Sequence, residues 1–166
     1  SAIMAMLFAD VKGYSSLSES EIPIFVEQLF GAASSLIEVS RHRPVVKNTW
    51  GDALYLVFDS TQDAGTFALE LNSMVNNVNW MSLGFGKTLT MRISLHAGPV
   101  YSLIDPILKQ WTYTGAHVSR GARIEPVTPA GEVFASEGFA ALSALANDSG
   151  FVCEYVGKTK LSKSYG

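Results

Sequence analysis

Two aspartates occupy positions where solubility alone does not call for an acid. Asp10 ends a run of seven apolar residues, Ile3 to Ala9. Asp52 follows Gly51 between two β-rich runs, residues 45–49 and 54–58. A helix-length segment and a return strand fit between the two acids, so both can end at the same edge of a sheet. Two carboxylates placed in this way suit a hard divalent cation such as Mg²⁺, which takes oxygen ligands and keeps room for water and phosphate. After Asp10 comes Val11-Lys12-Gly13-Tyr14-Ser15-Ser16. A glycine turn entering a helix offers free backbone N–H groups to anionic oxygens. A metal pair beside a phosphate cradle is the minimum equipment for phosphoryl transfer. The plain alternative is that Asp10 caps a turn and Asp52 is an ordinary Gly-Asp hairpin residue.

The elements that must position these residues follow from periodicity. Residues 3–9 read as a buried strand. Residues 19–40 carry apolar side chains at helical spacing (Ile24, Phe25, Leu29, Ala32, Ala33, Leu36, Ile37), with Pro23 in the first turn. The runs flanking Trp50-Gly51-Asp52 predict a hairpin. Residues 61–78 form a second helix, and residues 81–87 a Gly-rich loop. Residues 89–95 alternate and lead through Ala97-Gly98-Pro99 into 100–103, which predicts a hairpin or bend. Residues 115–124 read as a short helix, 132–135 as a strand, 137–146 as a helix and 151–156 as a last strand, before a basic tail. The order predicts an α+β fold, a mainly antiparallel sheet with helices on one face.

Composition narrows the function classes. The 166 residues fit one domain, residues 1–166, with enough interior for a core. A single cysteine, Cys153, excludes an internal disulfide and a four-cysteine zinc site, and points to a reducing compartment. No apolar run reaches the ~18 residues that span a bilayer, and no signal peptide is visible, so a cytoplasmic location is expected. A net charge of −3 argues against nucleic acid as the partner.

Five segments, in order, resemble the class III nucleotidyl cyclases, the adenylate/guanylate type. They are Phe8-Ala9-Asp10-Val11-Lys12-Gly13-Tyr14-Ser15, Asn48-Thr49-Trp50-Gly51-Asp52, residues 91–100, residues 113–124 and Gly131-Glu132-Val133-Phe134-Ala135-Ser136. The resemblance runs from Met6 to Lys163. It implies a ferredoxin-like βαββαβ core and a homodimer with two sites at the interface. It implies conversion of a nucleoside triphosphate to a 3′,5′-cyclic nucleotide and pyrophosphate. It further implies that Asp10, Asp52 and the Val11 carbonyl hold two Mg²⁺ or Mn²⁺ ions. Gly13, Tyr14 and Ser15 would cradle phosphates, and Arg92 would contact them from the same chain. Arg123 and Ser119 would act from the partner chain on the α-phosphoryl group, and Lys163 would reach the terminal phosphates, although spacing also permits Lys160. The plain readings are surface ion pairs for the two arginines and a solvated tail for Lys163.

The chain departs from the family where the base is read. Adenylate-forming members carry Lys and Asp where this chain has Asn48 and Thr112, and the usual guanylate pair is absent as well. The transition-state Asn of the family is Ser119, which still donates one hydrogen bond. Asn48 offers both a donor and an acceptor, and Trp50, if it faces inward, narrows the pocket. Together they favour a pyrimidine, UTP or CTP, as in bacterial members that make cyclic UMP or cyclic CMP in antiphage signalling. An adenylate cyclase making cyclic AMP is the alternative, and a non-catalytic nucleotide-binding regulatory domain the second. An RNA-binding module would need exposed sheet aromatics and a basic face, which the charge does not offer.

Other signals carry less. Gly84-Phe85-Gly86-Lys87-Thr88 ends like a P-loop, but Met81 stands where that motif needs Gly, so a flexible loop is expected. His42, His96 and His117 lack metal-ligand spacing. Ser15 and Ser16 lack a nucleophile-elbow context.

Overall fold

The computed structural model describes residues 1–146 and 150–162. The central strand is β1 (Ala2–Lys12). It pairs antiparallel with β3 (Ala53–Phe58) on one side and with β4 (Thr90–Ile104) on the other. β2 (Val46–Trp50) forms the far edge, and β5 (Trp111–Thr114) pairs with the end of β4. The order β2-β3-β1-β4-β5 contains the ferredoxin-like arrangement expected, and β6 (Val133–Ala135) adds a parallel pairing to β4.

Alternation along β1 divides the two faces of the sheet. Ala5, Leu7, Ala9 and Val11 point to the main core, with Leu54, Leu56 and Phe58 of β3 and Met91, Ile93 and Leu95 of β4. The long helices cover this face. α1 (Glu21–Phe25), a π-helical turn (Val26–Phe30) and α2 (Gly31–Val39) run on as one rod, which buries Phe25, Leu29 and Ala33. This rod, Glu21–Val39, has a mean hydropathy of 1.4 and is long and apolar enough, by length and composition only, to cross a membrane. That corrects the expectation that no segment reaches such a length: scattered small and polar residues hide it from a search for unbroken apolar runs. α3 (Thr61–Asn77) is capped by Ser60, whose hydroxyl accepts from Asp63 N at 3.1 Å, and buries Phe67 and Leu71. α5 (Glu137–Leu145) is capped in the same way by Ser136 and buries Phe139.

Met4, Met6, Phe8, Tyr55, Val57 and Tyr113 form a smaller cluster on the opposite face. The short α4 (Ala116–Ala122) lies there, and Gly121 lets it sit down on Phe8: a Cβ at Gly121 would stand 2.6 Å from the Phe8 ring.

Three local expectations change. β4 is one continuous 15-residue strand, not two runs separated by a turn. Gly98 is needed for close packing, since a Cβ there would lie 2.4 Å from His117 Nδ1. Beyond Val100, the last residue paired with β1, β4 carries β5 across to the second face, where Tyr55 Oη donates to the Tyr113 carbonyl at 3.5 Å and β5 comes beside β2. Residues 151–156 form no strand; Phe151 instead stacks on Phe139 and lies over Gly65. The 84–88 loop is anchored, not loose. Phe85 is buried edge-on against Trp80, and its N–H donates to the Trp80 carbonyl at 3.2 Å.

Candidate active site

Asp10 and Arg92 are direct cross-strand partners in the β1–β4 register. The guanidinium therefore meets the carboxylate as a fork: Arg92 Nε donates to Oδ1 at 3.0 Å and Nη2 to Oδ2 at 2.8 Å. Such bidentate pairs are among the stronger polar contacts. Asp52 sits in the turn between β2 and β3, beside Gly51 at φ 60, and its Oδ2 accepts from Val11 N at 3.2 Å. That bond brings the two aspartate-bearing tips together. Gly13, at φ 92, turns the chain into a 3₁₀ helix, Tyr14–Ser16. The first N–H groups of such a turn have no acceptor within it. Tyr14 packs on Phe25 with ring centroids 5.2 Å apart, which ties the turn to the helical layer.

These groups line one cavity of about 440 Å³, together with Lys12, Thr128, Pro129 and Ala130. Of the residues singled out in the sequence, the cavity gathers Asp10, Val11, Gly13, Tyr14, Ser15, Asp52 and Arg92. Asn48, Trp50, Thr112, Ser119 and Arg123 are not among its lining residues. Asn48 and Trp50 are exposed on β2 and share one face by alternation, because Trp50 is still paired, with Ala53. Trp50 is 88% exposed, so it neither covers this cavity nor packs under a helix. Thr112 is half-buried on β5, beside β2. Ser119 is exposed on α4, and Arg123 follows that helix with its Nε buried and without a hydrogen-bond partner. Lys163 lies outside the described residues.

Glu125 is a third carboxyl at this site that the sequence did not reveal. Its Oε1 lies 3.1 Å from Arg92 Nε, yet that N–H is directed to Asp10, and Oε1 has no hydrogen-bond partner. Burial first, and then the neighbouring Asp10, push the Glu125 carboxyl up to about 8. Asp10 in turn holds the Arg92 guanidinium protonated even more firmly than usual. The only legible signal was position, two residues after Arg123, and position does not report burial.

The donor set fits a hard divalent cation. It offers carboxylate oxygens and a backbone carbonyl, no sulfur and no imidazole. No group of three or more His, Cys, Asp or Glu side chains is set for a metal among the described residues. Two aspartates match an ion that completes its shell with water and substrate phosphate.

A buried histidine, His96, and a half-buried one, His117, mark the second face. His96 Nδ1 lies 2.6 Å from Ser136 Oγ, and its Nε2 lies 3.0 Å from His117 Nδ1. Burial, with His117 and Arg120 nearby, lowers His96 to about 4.

Comparison with known proteins agrees with this geometry. The guanylate cyclase domain of RhGC from Catenaria anguillulae, solved in complex with GTP, superposes with a TM-score of 0.81 at 19% identity, over 98% of this chain and 91% of that one. A monomeric adenylate cyclase from Trypanosoma brucei superposes with a TM-score of 0.78 at 18% identity, over 98% and 85%. A far longer protein of Acanthamoeba polyphaga mimivirus, named as a serine/threonine-protein kinase/receptor, is 27% identical over 139 residues. That match takes in 74% of this chain and 8% of the viral protein. The family described as Adenylate and Guanylate cyclase catalytic domain matches residues 2–165. A sheet that brings Asp10, Asp52 and a phosphate-sized turn to one edge, and a family match over nearly the whole length, lead to one conclusion: this chain belongs to the adenylate and guanylate cyclase catalytic domain family.

Proposed function

We propose that this cyclase domain closes a pyrimidine nucleoside triphosphate, UTP or CTP, into its 3′,5′-cyclic nucleotide. The 3′-oxygen attacks the α-phosphorus, the bond to the β-phosphate breaks, and pyrophosphate leaves. The observation that carries the reading is the meeting of Asp10, Asp52, the Val11 backbone and the 13–16 turn around one cavity. Two Mg²⁺ or Mn²⁺ ions held by Asp10, Asp52 and the Val11 carbonyl would make the 3′-hydroxyl more acidic and offset the triphosphate charge. The N–H groups of Tyr14 and Ser15 receive phosphate oxygens. Arg92 turns its fork from Asp10 to the phosphates, a task that suits a guanidinium.

Arg123 and Ser119 lie outside their own chain's cavity, and Arg123 Nε has no partner. This supports a homodimer in which each serves the other chain's site, Arg123 stabilising charge on the α-phosphoryl group. By the family resemblance, Lys163 or Lys160 would reach the terminal phosphates. The choice of base rests on Asn48 and Trp50, which share an exposed face beside Thr112 on β5. Asn48 can pair with either pyrimidine edge, and the exposed indole would narrow the space for the ring only across the seam of a dimer.

The test is incubation of the pure protein with each of the four nucleoside triphosphates and Mn²⁺, with cyclic products and pyrophosphate quantified. Cyclic UMP or cyclic CMP is expected. Cyclic AMP as the sole product overturns the choice of base and leaves the cyclase. Triphosphate binding without pyrophosphate release favours the regulatory domain instead.

A further inference from the structure

The walls of the cavity are tied down one by one. Lys87 Nζ donates to the Gly13 carbonyl at 3.1 Å and holds the phosphate turn. Val11 N holds Asp52. Arg92 differs, because two carboxyls compete for one of its donors. Asp10 takes Nε and Nη2. On the other side, the 3₁₀ turn Glu125–Val127 brings Glu125 Oε1 to 3.1 Å from the same Nε and the Pro126 carbonyl to 3.5 Å from Nη1. That turn is firmly placed. Thr128 N donates to the Glu125 carbonyl at 3.0 Å, and the buried Thr128 hydroxyl donates to the Ile124 carbonyl at 2.9 Å.

Nε carries one hydrogen. Asp10 has it, and Glu125 Oε1 is buried without a hydrogen-bond partner. A buried acceptor left unpaired is costly, and each such case calls for an explanation. Here the explanation lies in the two duties of Asp10. It is the cross-strand partner of Arg92 and, in the proposed reaction, a metal ligand. When the carboxylate serves the second duty, the fork is released and Nε loses its acceptor. Glu125 stands within hydrogen-bond reach of that N–H. Nη2 is then free for an anion in the cavity that Arg92 lines. A carboxyl keeps an accepting oxygen whether or not it is protonated, so the exchange of partners does not depend on the charge of Glu125.

We propose that Glu125 is a positioning residue for Arg92: it takes the Nε–H when Asp10 turns to the metal, and holds the guanidinium in place for phosphate. Glu125 is not among the cavity's lining residues and acts only through Arg92. The proposal rests on the cyclase reading of the cavity.

The test reads the Arg92 Nε–H directly, by solvent exchange in NMR of the isotope-labelled full chain, with the resonance assigned by its loss in Arg92→Lys. Asp10→Ala withdraws the first acceptor without metal or nucleotide. Exchange in Asp10→Ala should stay slow, and should remain slow when Glu125→Gln is added, since the amide oxygen still accepts. Adding Glu125→Leu instead should speed it about tenfold, the size of one hydrogen bond to a charged group. Exchange as fast in Asp10→Ala alone as in Asp10→Ala with Glu125→Leu overturns the proposal. A second measurement leaves Asp10 intact, in case its loss unfolds the chain: calorimetry of inorganic tripolyphosphate in magnesium buffer. Glu125→Leu should weaken binding about tenfold beside Arg92 and change nothing in an Arg92→Ala background. An equal loss in both backgrounds makes Glu125 a strut of its own turn and overturns the proposal. A wild-type chain that binds no tripolyphosphate overturns the cyclase reading of the cavity, and the exchange experiment then decides the role of Glu125.

Discussion

On the helix-covered face Leu7, Leu56, Phe58, Phe67 and Leu71 are fully buried, whereas on the opposite face Trp50 and Trp111 stand 88% and 66% exposed. The first face is closed by α1, α2, α3 and α5 of the same chain. The second has only the short α4, a Phe8–Tyr55 stack at 4.9 Å and the paired histidines. Scattered exposed apolar residues are ordinary, but Ile104 is paired with Trp111 across β4 and β5, both are exposed, and β5 lies beside β2, which carries Trp50. The residues that the family resemblance gives to a partner chain, Ser119 and Arg123, lie at α4 on this same open face. One face therefore holds the fold together, and the other is where the proposed dimer and its chemistry belong.

Substitutions should separate the two. Phe67→Ala, in the closed face, should cost about 3–5 kcal/mol in urea unfolding, the usual range for a buried aromatic. A cost near that of a surface change would mean that the helical layer is not what holds the sheet. Asp52→Ala should lower cyclic nucleotide formation by about a hundredfold or more, the scale of one lost transition-state stabiliser, with a nearly unchanged melting curve. Full activity would break the assignment of chemistry to this edge.

Smaller effects come from titration. His96 is held neutral in the fold, its value lowered to about 4 from 6.5. The unfolded chain takes up the proton first, so stability is full above pH 6.5 and is lost as pH falls toward 4. Melting temperature against pH should flatten over that window in His96→Asn. Glu125 has the opposite sign. Its value is raised to about 8 from 4.5, so the folded chain keeps a proton that the unfolded chain gives up. Stability falls as pH rises through that window, and Glu125→Gln should remove the slope. The smallest stability effect is expected for Trp111→Ser, within about 0.5 kcal/mol for the monomer, as for an exposed site. Sedimentation should nonetheless show loss of the dimer. A dimer that survives would mean that its interface lies elsewhere.

Much of this was legible in residue order. The apolar run before Asp10 and the Gly-Asp hairpin placed both acids at one edge, because strand alternation and turn chemistry are local. Features set by tertiary approach were not legible. Gly98 looks like a turn glycine, but its missing Cβ makes room for the His117 ring. Residues 111–114 are short and carry no clean alternation, and the partner that makes them a strand is the end of β4. Residues 151–156 have strand-forming types but no ladder in the structure. Glu125 carries no signal in the sequence, and Lys87 reads only as part of a flexible loop, since nothing in sequence reports which carbonyl or carboxylate a long side chain will meet.

The π-helical turn at Val26–Phe30 works as a length adjuster. An α-helix advances about 100° per residue, so positions four apart drift around the axis. The wider turn corrects that drift, and Phe25, Leu29 and Ala33 stay in one line against the sheet. Phe25 also lies under Tyr14 of the phosphate turn. A one-residue deletion within 26–30 would tighten the turn to an ordinary α-helix and rotate everything after it. The first half of the rod would keep its grip on Tyr14, and the second half would carry the error away from the site. Insertions and deletions along this rod should therefore spare the active-site turn when they fall after Phe25 and damage it when they fall before.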